Sequence, residues 1–421
     1  EGLASITVLN MRGNLLAELE QGTFAPMTKV VELNLGQNRI SHIDERAFDG
    51  LNSLRVLYLD DNTLTTVPGS VSFRAMPSLA ELYLGTNSFA SIPSKAFEDL
   101  RGLTRLDLRG AGLHNISQES LHGLLGLRFL DLSDNRLTQF PSAALSQLER
   151  LEELWLGQND YELIGSSALM GLGNLRRLDI TGAHLLRQVA SEAFSPNTNL
   201  EYLNLSSNKM LSNFDENALS GLPHLRVVIL KENQLSSLSA GMFPWTDLQT
   251  LDLSDNPLNC DCRLLWLQHL LSTKNTSADQ KFPTVLCASP ERLKDQSLTQ
   301  VTPAQLGCSH SDAKHQAMIG VLLVVTAATI TALALILYAC RRRIREKLKG
   351  GWGNSAMGRK EREYQKTFSD EEYMNRTQQQ LPCQLGGGYN PASTALATPY
   401  GSAYNQSQQY MGSRPIPVTE L

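Results

Sequence analysis

Eleven times between residues 1 and 259 the chain repeats one spacing, L-x-x-L-x-L-x-x-N-x-L. The closing position falls at Asn14, Asn38, Asn62, Asn87, Ala111, Asn135, Asn159, Ala183, Asn208, Asn233 and Asn256, at intervals of 23 to 25 residues. A pattern this long does not arise by chance, and it leaves few folds open. Around Leu54, Leu57 and Leu59 the x-L-x-L-x centre reads as a short strand, leucines inward and intervening residues outward. One such unit cannot bury its apolar side alone, so units must stack into a solenoid carrying a parallel sheet. The Asn after each strand is read as buried, its amide bonding backbone groups that the turning chain leaves unpaired. Leaving such a group unsatisfied costs about 1–3 kcal/mol. Ala111 and Ala183 lack the amide, so local irregularity is expected there. About ten residues further on, Phe24, Phe48, Phe73, Phe97, Phe194 and Phe243 share one slot with Leu121, Leu145, Leu169 and Leu219, predicting a packed convex spine.

The repeat resembles the leucine-rich repeat of extracellular proteins over residues 1–259. The resemblance implies an α/β solenoid, a horseshoe with a parallel concave sheet. Residues 260–308 follow with Cys260, Cys262, Cys287 and Cys308. A solenoid needs a cap because its last turn exposes a core edge. Four cysteines allow three pairings, and joining Cys260 to Cys262 would close a badly strained ring, which leaves two. Zinc is disfavoured because C-x-C is poor ligand spacing. The run Asn256-Pro-Leu-Asn-Cys260-Asp-Cys262 resembles the cysteine-rich C-terminal flank of secreted repeats. That resemblance implies Cys260–Cys287 and Cys262–Cys308. Sequons stand at Asn115, Asn204 and Asn275. Asn204 lies between Leu203 and Leu205, so it is expected to point out of the concave sheet, where a glycan would block that end of the face.

Charge divides the chain. Residues 1–315 carry 25 basic and 35 acidic side chains, 316–340 none, and 341–421 carry 12 basic and 7 acidic. The acidic front part argues against nucleic acid, which needs a basic stripe. After a juxtamembrane stalk at 309–316, residues 317–340 form an uncharged run that reaches about 36 Å as a helix, enough for a bilayer core of about 30 Å. Arg341, Arg342, Arg343, Arg345, Lys347 and Lys349 then mark a stop-transfer boundary, predicting one membrane pass with the N-terminal side outside and 341–421 in the cytoplasm. Cys340 at the inner boundary is a palmitoylation candidate.

The tail is rich in Gly, Gln, Ser and Tyr, has no apolar periodicity, and is expected to be disordered. It ends in Thr419-Glu420-Leu421, the form that a PDZ groove binds by strand addition. Tyr373, after Asp370-Glu371-Glu372 and before Asn375, matches an adaptor site once phosphorylated. The chain begins without Met and inside a motif, so a processed form or a fragment, lacking its signal peptide and N-terminal cap, is expected.

No G-x-S-x-G, H-E-x-x-H or glycine-rich phosphate loop is present, and the eight histidines lack metal spacing. No enzyme, cofactor or small-molecule substrate is expected. The recognition surface should be the concave face, with Tyr58, Tyr83, Arg105, Arg109, Phe129, Trp155, Arg177 and Tyr202 as candidate ligand-binding residues. Trp155 is the leading anchor, because exposed Trp, Tyr and Arg dominate interfaces. The whole layout, with Tyr-Gln-Lys-Thr-Phe-Ser-Asp-Glu-Glu-Tyr-Met in the tail, is similar to the Capricious/Tartan group of insect adhesion proteins. That similarity implies cell–cell recognition, including axon targeting and cell sorting. The expected partners are a protein ligand or apposed cell-surface protein, a PDZ scaffold and the lipid bilayer. The alternative is a ligand-binding signalling receptor or accessory receptor subunit. A Toll-like receptor is not expected, since about 70 tail residues cannot hold its cytoplasmic domain.

Overall fold

The computed structural model describes residues 3–274 and 282–349. Each repeat contributes one three-residue strand, and eleven of these, from Val8–Asn10 to Thr250–Asp252, pair in parallel and in strict chain order. The register places leucine on leucine: Leu33, Leu57, Leu82, Leu106, Leu130, Leu154, Leu178 and Leu203 are mutual partners along the sheet. All of them are buried. Burying one leucine side chain contributes about 1.5–3 kcal/mol, so the column is the main cohesive element between turns. The phenylalanine and leucine slots form a second buried column, with Phe24 and Phe48 stacked at 6.1 Å and Phe73 against Phe97 at 5.9 Å.

The asparagines form a third column. Asn159 is representative: its Nδ2 donates to the carbonyls of Leu132, Leu156 and Gly157 at 3.0–3.1 Å, and its Oδ1 accepts from Leu137 N at 3.1 Å. In every turn the residue just before this position is in the left-handed region, from Gln37 at φ 51° to Gly13 at φ 73°. That conformation bends the chain off the sheet at the same point eleven times.

The two alanine turns are more regular than expected. The strands of both repeats keep their parallel partners. At Ala111 the backbone carbonyl replaces the missing side-chain acceptor, taking the N–H of Phe89 at 2.8 Å, and Gly110 and Gly112 at φ 62° and 79° allow it to turn there. At Ala183 the missing donor is supplied by Tyr161. This fully buried phenol donates to the Leu156 carbonyl at 2.9 Å, where an asparagine at 183 would have donated.

Two disulfides, Cys260–Cys287 and Cys262–Cys308, hold the cap, in which the helix Leu265–Lys274 lies. Loops of 27 and 46 residues correspond to about 3.5 and 4 kcal/mol in the chain-entropy description. Trp245 of the last repeat stacks on Trp266 of the cap helix at 5.3 Å, sealing the core edge. Ser309–Lys349 forms one continuous helix, and its Ala317–Arg345 part, with a mean hydropathy of 2.6, is long and apolar enough to cross a membrane. Cys340 is an exposed free thiol on this helix. Asn275, Tyr373 and Thr419–Leu421 lie outside the described residues.

Candidate functional site

Two side chains per strand point out of the concave sheet. Those at the second outward position follow a rule in seven of the eleven strands: Asn10, Asn34, Asp107, Asp131, Asp179, Asn204 and Asp252 each accept the backbone N–H two residues on, at 2.8–3.1 Å. Such a side-chain clamp is the Asx turn, and it starts the bend away from the sheet. The acidic residues of this row therefore serve the scaffold. Burial pushes the carboxyls of Asp107 and Asp131 above the usual carboxylate range, against the opposing effect of those same N–H bonds. Four strands break the rule, with Tyr58, Tyr83, Trp155 and Ile229. Three of the four are aromatic.

These rings join residues of the first outward position in one continuous row. Tyr58 and Tyr83 stack at 4.5 Å with their planes 14° apart. The guanidinium of Arg105 lies 5.7 Å from the Tyr83 ring centre and 3.5 Å over Phe129. Phe129 meets Trp155 edge-on at 5.6 Å. One strand further on, Arg177 covers Tyr202 at 4.5 Å and approaches Glu153 at 4.0 Å. Cation–π contacts of this kind contribute about 0.5–1 kcal/mol at exposed sites.

The candidates are thus not equivalent. Trp155 is 39% exposed and stands proud of the row. Phe129 points outward but is only 9% exposed, roofed by Arg105 and Trp155, so it supports the surface more than it presents one. Arg105 is half-buried, and its Nε has no hydrogen-bond partner among the described residues. Arg109 is exposed but lies beyond its strand, in the turn after Asp107, at the rim of a cleft. That cleft, about 450 Å³, has Tyr58 and Tyr83 among its lining residues. Burial and the neighbouring Glu32, Glu81 and Asp60 raise the Tyr58 phenol, while burial and a 2.7 Å hydrogen bond donated to Glu81 raise that of Tyr83. No group of three or more His, Cys, Asp or Glu able to hold a metal ion occurs among the described residues.

The sequon asparagines differ. Asn115 is exposed on the flank. Asn204 is half-buried on the concave sheet, and its Nδ2 donates to Asp179 Oδ2 at 2.7 Å and to Thr181 Oγ1 at 2.9 Å.

Comparison with known proteins places this geometry. The leucine rich repeat family matches residues 4–64, 60–113, 101–161, 126–185 and 173–235, which together exceed half the chain. The chain belongs to the leucine-rich repeat family. The leucine rich repeat C-terminal domain matches residues 284–309. Platelet glycoprotein IX of Homo sapiens is 36% identical over 125 residues, covering 29% of this chain and 69% of that protein. Trophoblast glycoprotein of Macaca fascicularis is 27% identical over 363 residues, covering 80% and 69%. Chondroadherin of Mus musculus is 35% identical over 91 residues, and the chain spans 24% of its length. Among solved structures, a chain of the octameric complex of Latrophilin 3, Unc5D and FLRT2 shares the fold, with a TM-score of 0.53 at 22% identity, covering 67% of this chain and 91% of that one.

Proposed function

We propose that this chain is a single-pass cell-surface recognition protein that binds a protein partner through the aromatic row of its concave sheet. The observation that carries the reading is Trp155. It is a large ring, exposed at the end of the row and braced edge-on by Phe129, at a position where the scaffold's own rule asks for Asn or Asp. Rigid aromatic anchors set among braced neighbours are what interface hot spots consist of. The six cations that follow residue 340 support a cytoplasmic C-terminal side, by the positive-inside rule. The Thr419-Glu420-Leu421 end is read as a hook for a PDZ scaffold, leaving recognition to the solenoid. Cell–cell recognition of the kind served by the Capricious/Tartan group, axon targeting or cell sorting, is the role this arrangement suits.

A cell-aggregation assay on the full chain tests the reading. Trp155→Ala is expected to weaken aggregation at unchanged surface display. Leu154→Ala, which empties a fully buried site, is expected to lower display itself through a loss of about 2–5 kcal/mol. Aggregation that survives Trp155→Ala would remove the concave face from recognition.

A further inference from the structure

The cleft beside Tyr58 combines an aromatic pair with a set of carboxylates. Its floor is the Tyr58–Tyr83 pair, two rings that break the Asx rule and stack nearly parallel at 4.5 Å. Carboxylates surround that floor. Glu32, Asp60 and Asp107 line the cleft, and Glu81 is held beside it by the Tyr83 hydroxyl. Against these four stand Arg12, which is bound to Asp60 Oδ2 at 2.9 Å, Arg109, and Arg105, whose guanidinium lies 5.7 Å from the Tyr83 ring centre.

The same face shows twice what such surroundings take up. Arg105 lies 3.5 Å over Phe129, and Arg177 lies over Tyr202 with Glu153 at 4.0 Å. In each case a guanidinium covers a ring, and in the second a carboxylate stands beside it. Among the described residues no cation is recorded over Tyr58, although its setting is the more acidic one. A planar guanidinium is the matching group, because it stacks on a phenol ring and keeps its edge N–H groups for carboxylates.

We propose that this cleft receives an arginine side chain projecting from the partner protein. The guanidinium would lie on Tyr58 and donate toward Glu32. This inference rests on the reading of the concave face as a protein-binding surface, and it assigns the chemistry of one contact within it.

The test uses the full chain in nanodiscs of zwitterionic lipid and three peptide probes: acetyl-Gly-Gly-X-Gly-Gly-amide with X as arginine, lysine or citrulline. Citrulline keeps the arginine shape without the charge. Saturation-transfer NMR reads contact at the side-chain methylenes, and it detects millimolar binding. The arginine peptide is expected to give at least five times the signal of the citrulline peptide, with lysine in between. Tyr58→Leu should bring arginine down to the citrulline level, and Glu32→Gln should halve its signal. Tryptophan-fluorescence melts confirm that both variants are folded. Equal signals from arginine and citrulline, or an arginine signal unaffected by Tyr58→Leu in a folded protein, would overturn the proposal. If the probe fails while Trp155→Ala still weakens aggregation, only the cleft assignment falls. If the probe behaves as expected while Trp155→Ala aggregates normally, the wider reading of the face falls instead.

Discussion

Replacing Asn159 with alanine tests the account of what holds the turns. Asn159 is fully buried and serves four backbone groups. Three of these have a second donor: Leu132 O keeps Asn135 Nδ2 at 2.9 Å, Leu156 O keeps the Tyr161 hydroxyl at 2.9 Å, and Gly157 O keeps Asp134 N at 3.0 Å. The fourth, Leu137 N–H, would be left buried without a partner. An orphaned donor costs about 1–3 kcal/mol, and the weakened carbonyls add a fraction of a bond each, so the expected loss is about 3 kcal/mol. At the ~2–4 °C per kcal/mol typical of domains of 150–250 residues, Tm should fall by about 6–12 °C. Asn14 is the control. It holds the same motif position, but it is exposed and among the described residues bonds Met11 O and Arg12 O, at 2.9 and 3.4 Å, where water can replace it. Asn14→Ala should cost under about 0.5 kcal/mol. Tryptophan-fluorescence melts of the full chain in neutral detergent compare the two. Equal shifts would show that leucine packing alone holds the turns and that the amide column is incidental.

Four further outcomes are expected. Gly157→Ala would place a Cβ 2.3 Å from the Thr181 carbonyl oxygen and should destabilise by about 1–3 kcal/mol, whereas Gly173→Ala, with open space around it, should be neutral in the same melts. Burial raises the folded-state pKa of Asp131 above its ordinary value of 3.8, so its charge opposes folding at neutral pH and protonation relieves the penalty. The stability of the wild type relative to Asp131→Asn should therefore rise as pH falls from 7 toward 4, and a flat difference would contradict this. Cys287→Ser leaves Cys260 unpaired and removes about 3.5 kcal/mol of loop constraint, so surface biotinylation should find most of the chain retained inside the cell. Because both Nδ2 hydrogens of Asn204 are engaged, a sugar there would sacrifice at least one bond; glycopeptide mass spectrometry of surface-displayed chain should find Asn115 occupied and Asn204 bare.

The solenoid was legible because its signal is periodic. Leucine spacing of two within a strand and about 24 between strands specifies both the inward face and the stacking, and the parallel register follows without further information. What escaped were substitutions of one chemical group by another from elsewhere in the chain. Tyr161 stands five residues from the carbonyl it serves and reads as one more apolar-slot aromatic, yet its hydroxyl makes good an amide missing at position 183. The Ala111 turn is repaired by a backbone carbonyl, which carries no sequence signal beyond the flanking Gly110 and Gly112. Outward direction on a strand was also mistaken for exposure. Phe129 faces out, but its covering depends on where the long side chains of Arg105 and Trp155 lie, and alternation along one strand cannot show that.

The Asx row explains where a repeat scaffold can afford recognition. Each clamp is a side-chain hydrogen bond from the backbone N–H two residues on, a contribution of about 0.5–1.5 kcal/mol, and an aromatic ring at that position gives it up. Along the sheet the unclamped strands never exceed two in succession: Tyr58 and Tyr83 are flanked by Asn34 and Asp107, and Trp155 stands between Asp131 and Asp179. Each turn in a solenoid contacts only its neighbours, so clamped turns on both sides hold an unclamped one in register. Tyr58 and Tyr83 in turn stack on each other and Trp155 packs edge-on against Phe129, recovering part of the loss as surface cohesion. Three of the four departures from the internal rule thus belong to the row, and this follows from comparing the chain with itself. Rule-breaking positions braced on both sides are where a scaffold under pressure to stay rigid can still carry a binding function.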